Sequence, residues 1–265
     1  MYDERQDFEH HGAEVDDALG LLRSLGLDPA PRGRILDLGG GQGMHVGFLQ
    51  RTGQLLTCAD VLDYSSLYEG TFAQKIREKY ERNGLSIDLS RCAFIRADAM
   101  DLLFRDGYFD CCFSFNAFEH IPDPERAFAE VARVLRPGGV AYITLDPVWT
   151  CDTGSHFFGR VPAPWQHLVV SPERFREAMA SAGAAPDELA AFPDDMNRKR
   201  VADYASAIGE VLARYPMELV FHDTYSGFSD PTHADHPNFR IALSMGYSEQ
   251  ELQMRRLRWV LRKLP

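Results

Sequence analysis

Short, almost continuously apolar stretches punctuate the first half of the chain. They are Ile35 to Leu38, Leu55-Leu56-Thr57-Cys58-Ala59-Asp60, Cys92-Ala93-Phe94-Ile95, Phe109 to Phe115 and Val140 to Leu145. Runs of this kind, apolar at neighbouring positions rather than alternate ones, predict strands buried on both faces. Helix-spaced patterns lie before and between them. Val15, Leu19, Leu22 and Leu25 form one stripe over about Glu14 to Leu25, stopped by Asp28-Pro29-Ala30-Pro31. A polar helix is expected from Ala73 to Arg82. The next has an N-cap at Asp123, Pro124 as its first residue, an inward stripe of Ala127, Val131, Val134 and Leu135, and a stop at Pro137-Gly138-Gly139. Strand alternating with helix predicts a parallel sheet covered on both faces.

After residue 147 the alternation lapses. Residues 148–170 gather Trp149, His156, Phe157, Phe158, Trp165 and His167, and a helix follows at Ser171-Pro172-Glu173, with Phe175, Ala178, Met179 and Ala182 on its apolar side. A further helix is expected over Ala202 to Tyr215, with two last strands at Met217 to His222 and Leu257 to Leu261. The chain therefore divides into an N-terminal helix plus sheet core (1–147), a cap over the carboxyl ends of the strands (148–196), and a C-terminal helix and strands that complete the core (197–265).

Composition narrows the range of functions. The 265 residues are 45% hydrophobic and carry a net charge of −11, which fits a globular domain. Nucleic acid is a poor partner for such a chain, because phosphate binding needs clustered Lys and Arg. No apolar run approaches the roughly 20 residues that span a bilayer, and the acidic, polar N-terminus does not resemble a signal peptide. Five cysteines without a C-x-x-C pair, several of them inside expected strands, suggest buried reduced thiols in a cytoplasmic protein. The sequence is compatible with a homodimer and does not specify one.

The stretch Arg34-Ile35-Leu36-Asp37-Leu38-Gly39-Gly40-Gly41-Gln42-Gly43-Met44-His45 carries the first chemical signal. A strand breaks into a glycine-rich turn and then opens a helix, so bare peptide and unpaired N–H groups face one place. The dinucleotide fingerprint G-x-G-x-x-G is missed, since Gly43 comes one residue early. Asp60 ends the second strand, where a carboxylate can accept hydrogen bonds from both hydroxyls of a ribose. Asp98 and Ala99 follow the third strand, within reach of a base.

Asp37-Leu38-Gly39-x-Gly41-x-Gly43, Asp60, Asp98-Ala99, Phe109-Asp110 leading to Phe118-Glu119-His120-Ile121, and Leu135-Arg136-Pro137-Gly138-Gly139 together resemble the class I S-adenosylmethionine (SAM)-dependent methyltransferases, in the small-molecule branch. The resemblance covers about residues 34–147. It implies a Rossmann-like seven-stranded sheet, mostly parallel with the last strand antiparallel, SAM as donor and S-adenosylhomocysteine as product. It places Asp37, Gly39, Gly41, Gly43, Asp60, Asp98, Ala99 and Asn116 at the cofactor, Asp37 ordering the loop or meeting the methionine amine and Asn116 near the methionine end. Ubiquinone-pathway relatives bind a divalent metal through Glu-x-x-Glu-His after the fourth strand. Here the positions are Asn116, Glu119 and His120, and the lost carboxylate argues against a metal there. His233-Ala234-Asp235-His236 reads as a polar loop, so no metal ligands are assigned.

An oxygen nucleophile needs its proton removed, and imidazole suits that task near neutral pH. His120 and His167 are the candidate bases, with His156 a third histidine near the site. Trp149, Phe157, Phe158 and Trp165 either wall an acceptor pocket or form the core of the cap. Tyr2, His10 and His11 are candidate lid residues. The function expected is methyl transfer to a small-molecule acceptor, most readily O-methylation of a sugar or natural-product hydroxyl. The alternatives are N- or C-methylation of a small metabolite and a catalytically silent SAM-binding scaffold.

Overall fold

The computed structural model describes residues 3–27, 33–50 and 55–265. Tyr2 and Asp28-Pro29-Ala30-Pro31 lie outside them. Seven strands form one sheet: β1 (Arg34–Leu38), β2 (Leu55–Asp60), β3 (Cys92–Arg96), β4 (Phe109–Ser114), β5 (Leu135–Leu145), β6 (Met217–Ser226) and β7 (Met254–Lys263). Their spatial order is β3-β2-β1-β4-β5-β7-β6. The first five pair in parallel, and β7 lies antiparallel between β5 and β6. The order reverses between β1 and β4, the switch point at which open α/β sheets leave a crevice beyond their carboxyl ends.

Alternate residues of the central strands serve opposite faces, which is why these strands are apolar throughout. Leu36, Cys112, Ala141 and Ile143 pack with helices α4 (Pro124–Val134) and α8 (Val201–Arg214) through Phe128, Val131, Tyr204 and Ile208. Ile35, Cys111, Phe113 and Tyr142 pack the other way, against α1 (Glu4–Ser24), α2 (Val46–Gln50) and α3 (Phe72–Arg82) through Phe8, Val15, Phe48, Ile76 and Tyr80. The cap contributes α5 (Gln166–Val169), α6 (Pro172–Ser181) and α7 (Pro186–Ala191). Two further helices, α9 (Pro237–Ser244) and α10 (Glu249–Gln253), connect β6 to β7.

Three departures from the sequence pattern have local causes. Helix α1 begins at Glu4, not near Glu14, because Asp3 caps it by accepting from the Arg5 N–H (3.0 Å) and Phe8 and Gly12 extend the buried face. Strand β5 runs through Pro137-Gly138-Gly139, which do not end it. Leu135 already pairs with Phe109 before the register shifts to Val140 against Cys111, so the Pro-Gly-Gly is absorbed as a bulge. The expected cap of residues 148–196 shares its core with later segments. Its buried cluster of Trp149, Phe157, Trp165, Phe175 and Phe192 also takes in Phe239, Ala242 and Leu252 from α9 and α10. Among the described residues no helix is long and apolar enough to cross a membrane.

Candidate active site

The glycine turn after β1 follows from three backbone angles. Gly39, Gly41 and Gly43 sit at φ of +71°, +51° and +74°, a region closed to most side chains. Their surroundings differ. A Cβ at Gly39 would stand 2.3 Å from the Ala117 Cβ, whereas one at Gly41 would meet nothing within 4 Å. Gly39 therefore allows β1 and the β4 turn to touch, and Gly41 leaves its peptide bare. Two tyrosines hold the turn from behind. The Tyr64 hydroxyl donates to the Gly41 carbonyl (2.8 Å), and the Tyr80 hydroxyl donates to the Met44 carbonyl (2.7 Å) while accepting from the Gly47 N–H (2.9 Å). Tyr80 carries no sequence signal beyond its place in the expected Ala73 to Arg82 helix, and Tyr64 carries none.

A cavity of about 570 Å³ opens in front of this turn, within the roughly 300–1,000 Å³ usual for small-ligand sites. Gly39, Gly41, Asp60, Asp98, Ala99, Asn116 and His120 all line it. Asp60 accepts the Gly41 N–H (2.9 Å) and the Leu62 N–H (3.1 Å), one on each carboxylate oxygen. That fixes the carboxylate at the bend while leaving further lone pairs to accept from a ligand. Asp98 is exposed at the same cavity, its side chain accepting from the Met100 N–H (2.8 Å).

Asp37 and Gly43 are not among the residues lining the cavity. A Cβ at Gly43 would meet Ile76 and Phe94 in the protein interior. Asp37 is fully buried, and among the described residues only the weak Cys58 thiol offers its carboxylate a hydrogen. Burial pushes its carboxyl up to about 6, against the pull of His45. It sits under the loop, where a Cβ at Gly40 would stand 2.5 Å from its Oδ2. Its position suits ordering the loop rather than meeting a ligand.

Asn116 takes a left-handed turn at φ +48°, which Asn tolerates better than most residues. Its Nδ2 donates to Glu14 Oε1 (2.8 Å), and its Oδ1 accepts from the Thr144 hydroxyl (3.1 Å). The residue thereby forms a partition, because it also lines a second cavity of about 440 Å³. The second cavity is polar: His10, Glu14 and Asp17 of α1 face Tyr142, Thr144, Asp146 and Arg256 of the sheet.

The histidines separate. His120 borders the first cavity, its Nδ1 bonded to the Asp195 carbonyl and its ring edge-on to His156 at 4.9 Å between centroids. His167 lies in the cap core with 8% of its surface exposed, packed on Trp149 and Phe175, and its Nε2 donates to the Trp149 carbonyl (2.7 Å). Burial lowers its pKa to about 4, and neither cavity reaches it. Trp149, Phe157 and Trp165 are buried cap residues, and with Phe158 they line neither cavity.

Glu119 is buried with both carboxylate oxygens unpartnered, and its ligand atoms come within 4.8 Å of those of His120 and His156. The Asn116 side chain turns away from this group toward Glu14. His233 pairs with buried Asp152 (2.8 Å), and His236 caps α9, so that loop is structural. Asn197, which sequence reasoning passed over, fixes the turn after β4: its Nδ2 donates to the carbonyls of Phe118 and Ile121, both at 2.7 Å.

A switch-point crevice, a glycine turn and a strand-end carboxylate define a nucleotide-type ligand site on a doubly wound sheet. Residues 36–143 match the family model described as a methyltransferase domain. Over those residues the chain is similar to a methyltransferase domain, and its seven-stranded sheet is Rossmann-like. It is 32% identical over 153 residues to an uncharacterized methyltransferase of Mycobacterium sp. (strain JLS), covering 56% of this chain and 54% of that one. The chain thus spans about half the length of the curated relatives it matches. Among solved structures, geranyl diphosphate C-methyltransferase from Streptomyces coelicolor A3(2), in complex with Mg²⁺, geranyl diphosphate and S-adenosyl-L-homocysteine, aligns with a TM-score of 0.53 at 12% identity, covering 95% of this chain and 79% of that one. A [4+2]-cyclase aligns with a TM-score of 0.50 at 18% identity, covering 88% and 74%. These likenesses are of fold.

Proposed function

We propose that the chain is a SAM-dependent methyltransferase acting on a polar small molecule, with the cofactor in the first cavity and the acceptor in the second. The observation that carries this reading is Asn116, whose single side chain borders both cavities. In this reading Asp60, held at the bend by two backbone amides, accepts from the ribose hydroxyls. Asp98 and the Ala99 N–H meet the base, and the bare peptide at Gly41 meets the amino-acid end. The bound cofactor supplies an electrophilic methyl carbon on a sulfonium.

The chain's own residues position and dehydrate the reactants, which can supply much of the rate of an in-line displacement. Asp60, Asp98 and the Gly41 turn would hold the cofactor, and an acceptor oxygen that took up its methyl group would shed a proton. The oxygen's proton then needs a base. In the tautomer that donates from Nδ1 to the Asp195 carbonyl, His120 keeps a lone pair on Nε2 for that proton, provided the acceptor's reacting oxygen reaches past Asn116 into the first cavity, the one His120 lines. The hydroxyl, carboxylate and guanidinium groups of the second cavity favour a hydroxylated acceptor such as a sugar or polar natural product. The free cysteines support a reducing, cytoplasmic setting.

The test is calorimetry with SAM and S-adenosylhomocysteine, followed by an acceptor panel read out as S-adenosylhomocysteine release. Micromolar binding and release with a hydroxylated acceptor are expected. Release only with amine or carbon acceptors would move the reaction to nitrogen or carbon. Binding with no release across the panel would favour the silent scaffold, and no binding would remove the whole reading.

A further inference from the structure

Behind Asn116, three side chains from two distant stretches of sequence point at one another. His11 Nδ1 and Glu14 Oε2 are 3.0 Å apart, His45 Nε2 and the same Glu14 Oε2 are 3.0 Å apart, and the two ring nitrogens approach to 3.2 Å. We propose that these three atoms form a binding site for a divalent transition cation of the zinc class, which ties helix α1 to the glycine turn. The proposal makes no assumption about the methyl donor.

Hydrogen bonds alone account poorly for the triangle. An ionised carboxylate only accepts, so each ring must donate its facing proton to Glu14. The two nitrogens then confront each other at 3.2 Å as two donors. If either ring gives up that proton to accept from the other, its contact with Glu14 loses its hydrogen. With Glu14 ionised, one side of the triangle is left unmatched in every arrangement of the ring protons. A cation at the centre satisfies all three atoms at once, each through a lone pair.

The spacing also fits. Tetrahedral zinc with bonds of about 2.0–2.1 Å sets its ligand atoms about 3.3 Å apart, and the three separations here fall just inside that. Two imidazoles and one carboxylate make a donor set suited to zinc or ferrous iron rather than to magnesium or calcium, which prefer oxygen ligands. Three protein ligands leave a fourth position open.

The surroundings resemble the outer ligand sphere of a metal site. His11 turns its other nitrogen, Nε2, to Asp7 Oδ1 at 3.3 Å, the carboxylate–histidine arrangement that fixes the tautomer and orientation of a ligating ring. The second oxygen of Glu14 accepts from Asn116 Nδ2 at 2.8 Å, which leaves Oε2 aimed at the two rings. The His45 ring is 7% exposed and stacked on Phe115 at 4.2 Å between centroids and 21° between planes. Each donor is therefore held from behind by a different group.

The consequence is structural linkage. His11 and Glu14 stand on α1, and His45 closes the turn that carries Gly39, Gly41 and Gly43. A cation here would clamp the helix roofing the second cavity to the loop flooring the first. Glu14 lines the second cavity, so an open coordination position beside it would lie close to an acceptor.

The experiment uses the full chain, dialysed against chelator and titrated with Zn²⁺ alone by calorimetry and with Co²⁺ alone by visible absorption. One equivalent per chain is expected, with a rise in melting temperature and the intense d–d bands of a four-coordinate cobalt site. Glu14→Gln, which keeps the volume and a hydrogen-bonding head, and His11→Ala, at a half-buried position, should abolish both signals. Asp7→Ala should weaken binding about tenfold or more. Circular dichroism of each variant separates loss of the site from loss of the fold. The proposal is overturned if wild type binds neither ion, or if binding survives in the folded Glu14→Gln protein. It is also overturned if His156→Ala, which disrupts the Glu119–His120–His156 group, removes the signal.

Discussion

The two cavities that meet at Asn116 are built in different ways. The first is assembled from one stretch of chain, Leu38 to Pro122, each of whose contributions sits at a strand end or just past one. The second draws on α1, the end of β4, the end of β5 and Arg256 of β7, segments spread from residue 10 to residue 256. The first is mostly backbone and small side chains around a few fixed carboxylates. The second is a mixed set of charges whose partners come from across the sheet. A fold built this way can keep the first cavity constant in form while the second varies.

The sharpest test of that division is Asp60→Ala. It removes a carboxylate proposed to accept two hydrogen bonds from a ribose, worth together about 3–6 kcal/mol when the acceptor is charged. Calorimetry should show S-adenosylhomocysteine affinity falling by about two to four orders of magnitude. Asp146→Asn, in the second cavity, should leave that affinity within about threefold and lower turnover of an acceptor found in the panel instead. An equal loss of cofactor affinity in both variants would break the comparison.

The glycine turn offers a second contrast, of slightly smaller size. Gly39→Ala forces a left-handed Cβ against Ala117 and should cost about 3 kcal/mol in urea unfolding, combining backbone strain and overpacking. Gly41→Ala meets open space, so its stability cost should stay near the backbone strain of about 1–2 kcal/mol. Its main effect should be weaker cofactor binding, because the new methyl stands where bare peptide faced the cavity.

The cap histidine can be examined through pH. His167 has a folded pKa lowered by burial to about 4, against about 6.5 in an unfolded chain. As pH falls from about 6.5 to about 4, the unfolded chain takes up a proton that the folded one refuses, so stability is lost across that window. Relative to His167→Gln, wild type should lose up to about 3 kcal/mol between pH 7 and pH 4, measured by denaturant unfolding at each pH. Turnover measured above pH 7 should be nearly the same in the two proteins, as befits a residue that neither cavity reaches. The smallest expected effect is Tyr64→Phe. It leaves the Gly41 carbonyl without its 2.8 Å donor, for about 1 kcal/mol of stability.

The sequence by itself determined what depends on local spacing. The apolar strands, the Asp123-Pro124 helix start, the three left-handed glycines and the strand-end position of Asp60 are all consequences of neighbouring residues, because steric limits on φ and the strand–helix alternation act within a few positions. Tertiary structure decided what depends on distant groups meeting. His167 reads as a candidate base in sequence and becomes a buried core residue once the cap closes over it. Asp37 stands in the glycine motif and lies buried beneath the loop, while Tyr64 and Tyr80 hold that loop without any motif to announce them. Helices α9 and α10, which follow β6 in the chain, join the core of a cap that begins after β5. His11, Glu14 and His45 converge only because α1 packs beside the turn, and a sequence pattern records which side chains are present but not which of them share one point in space.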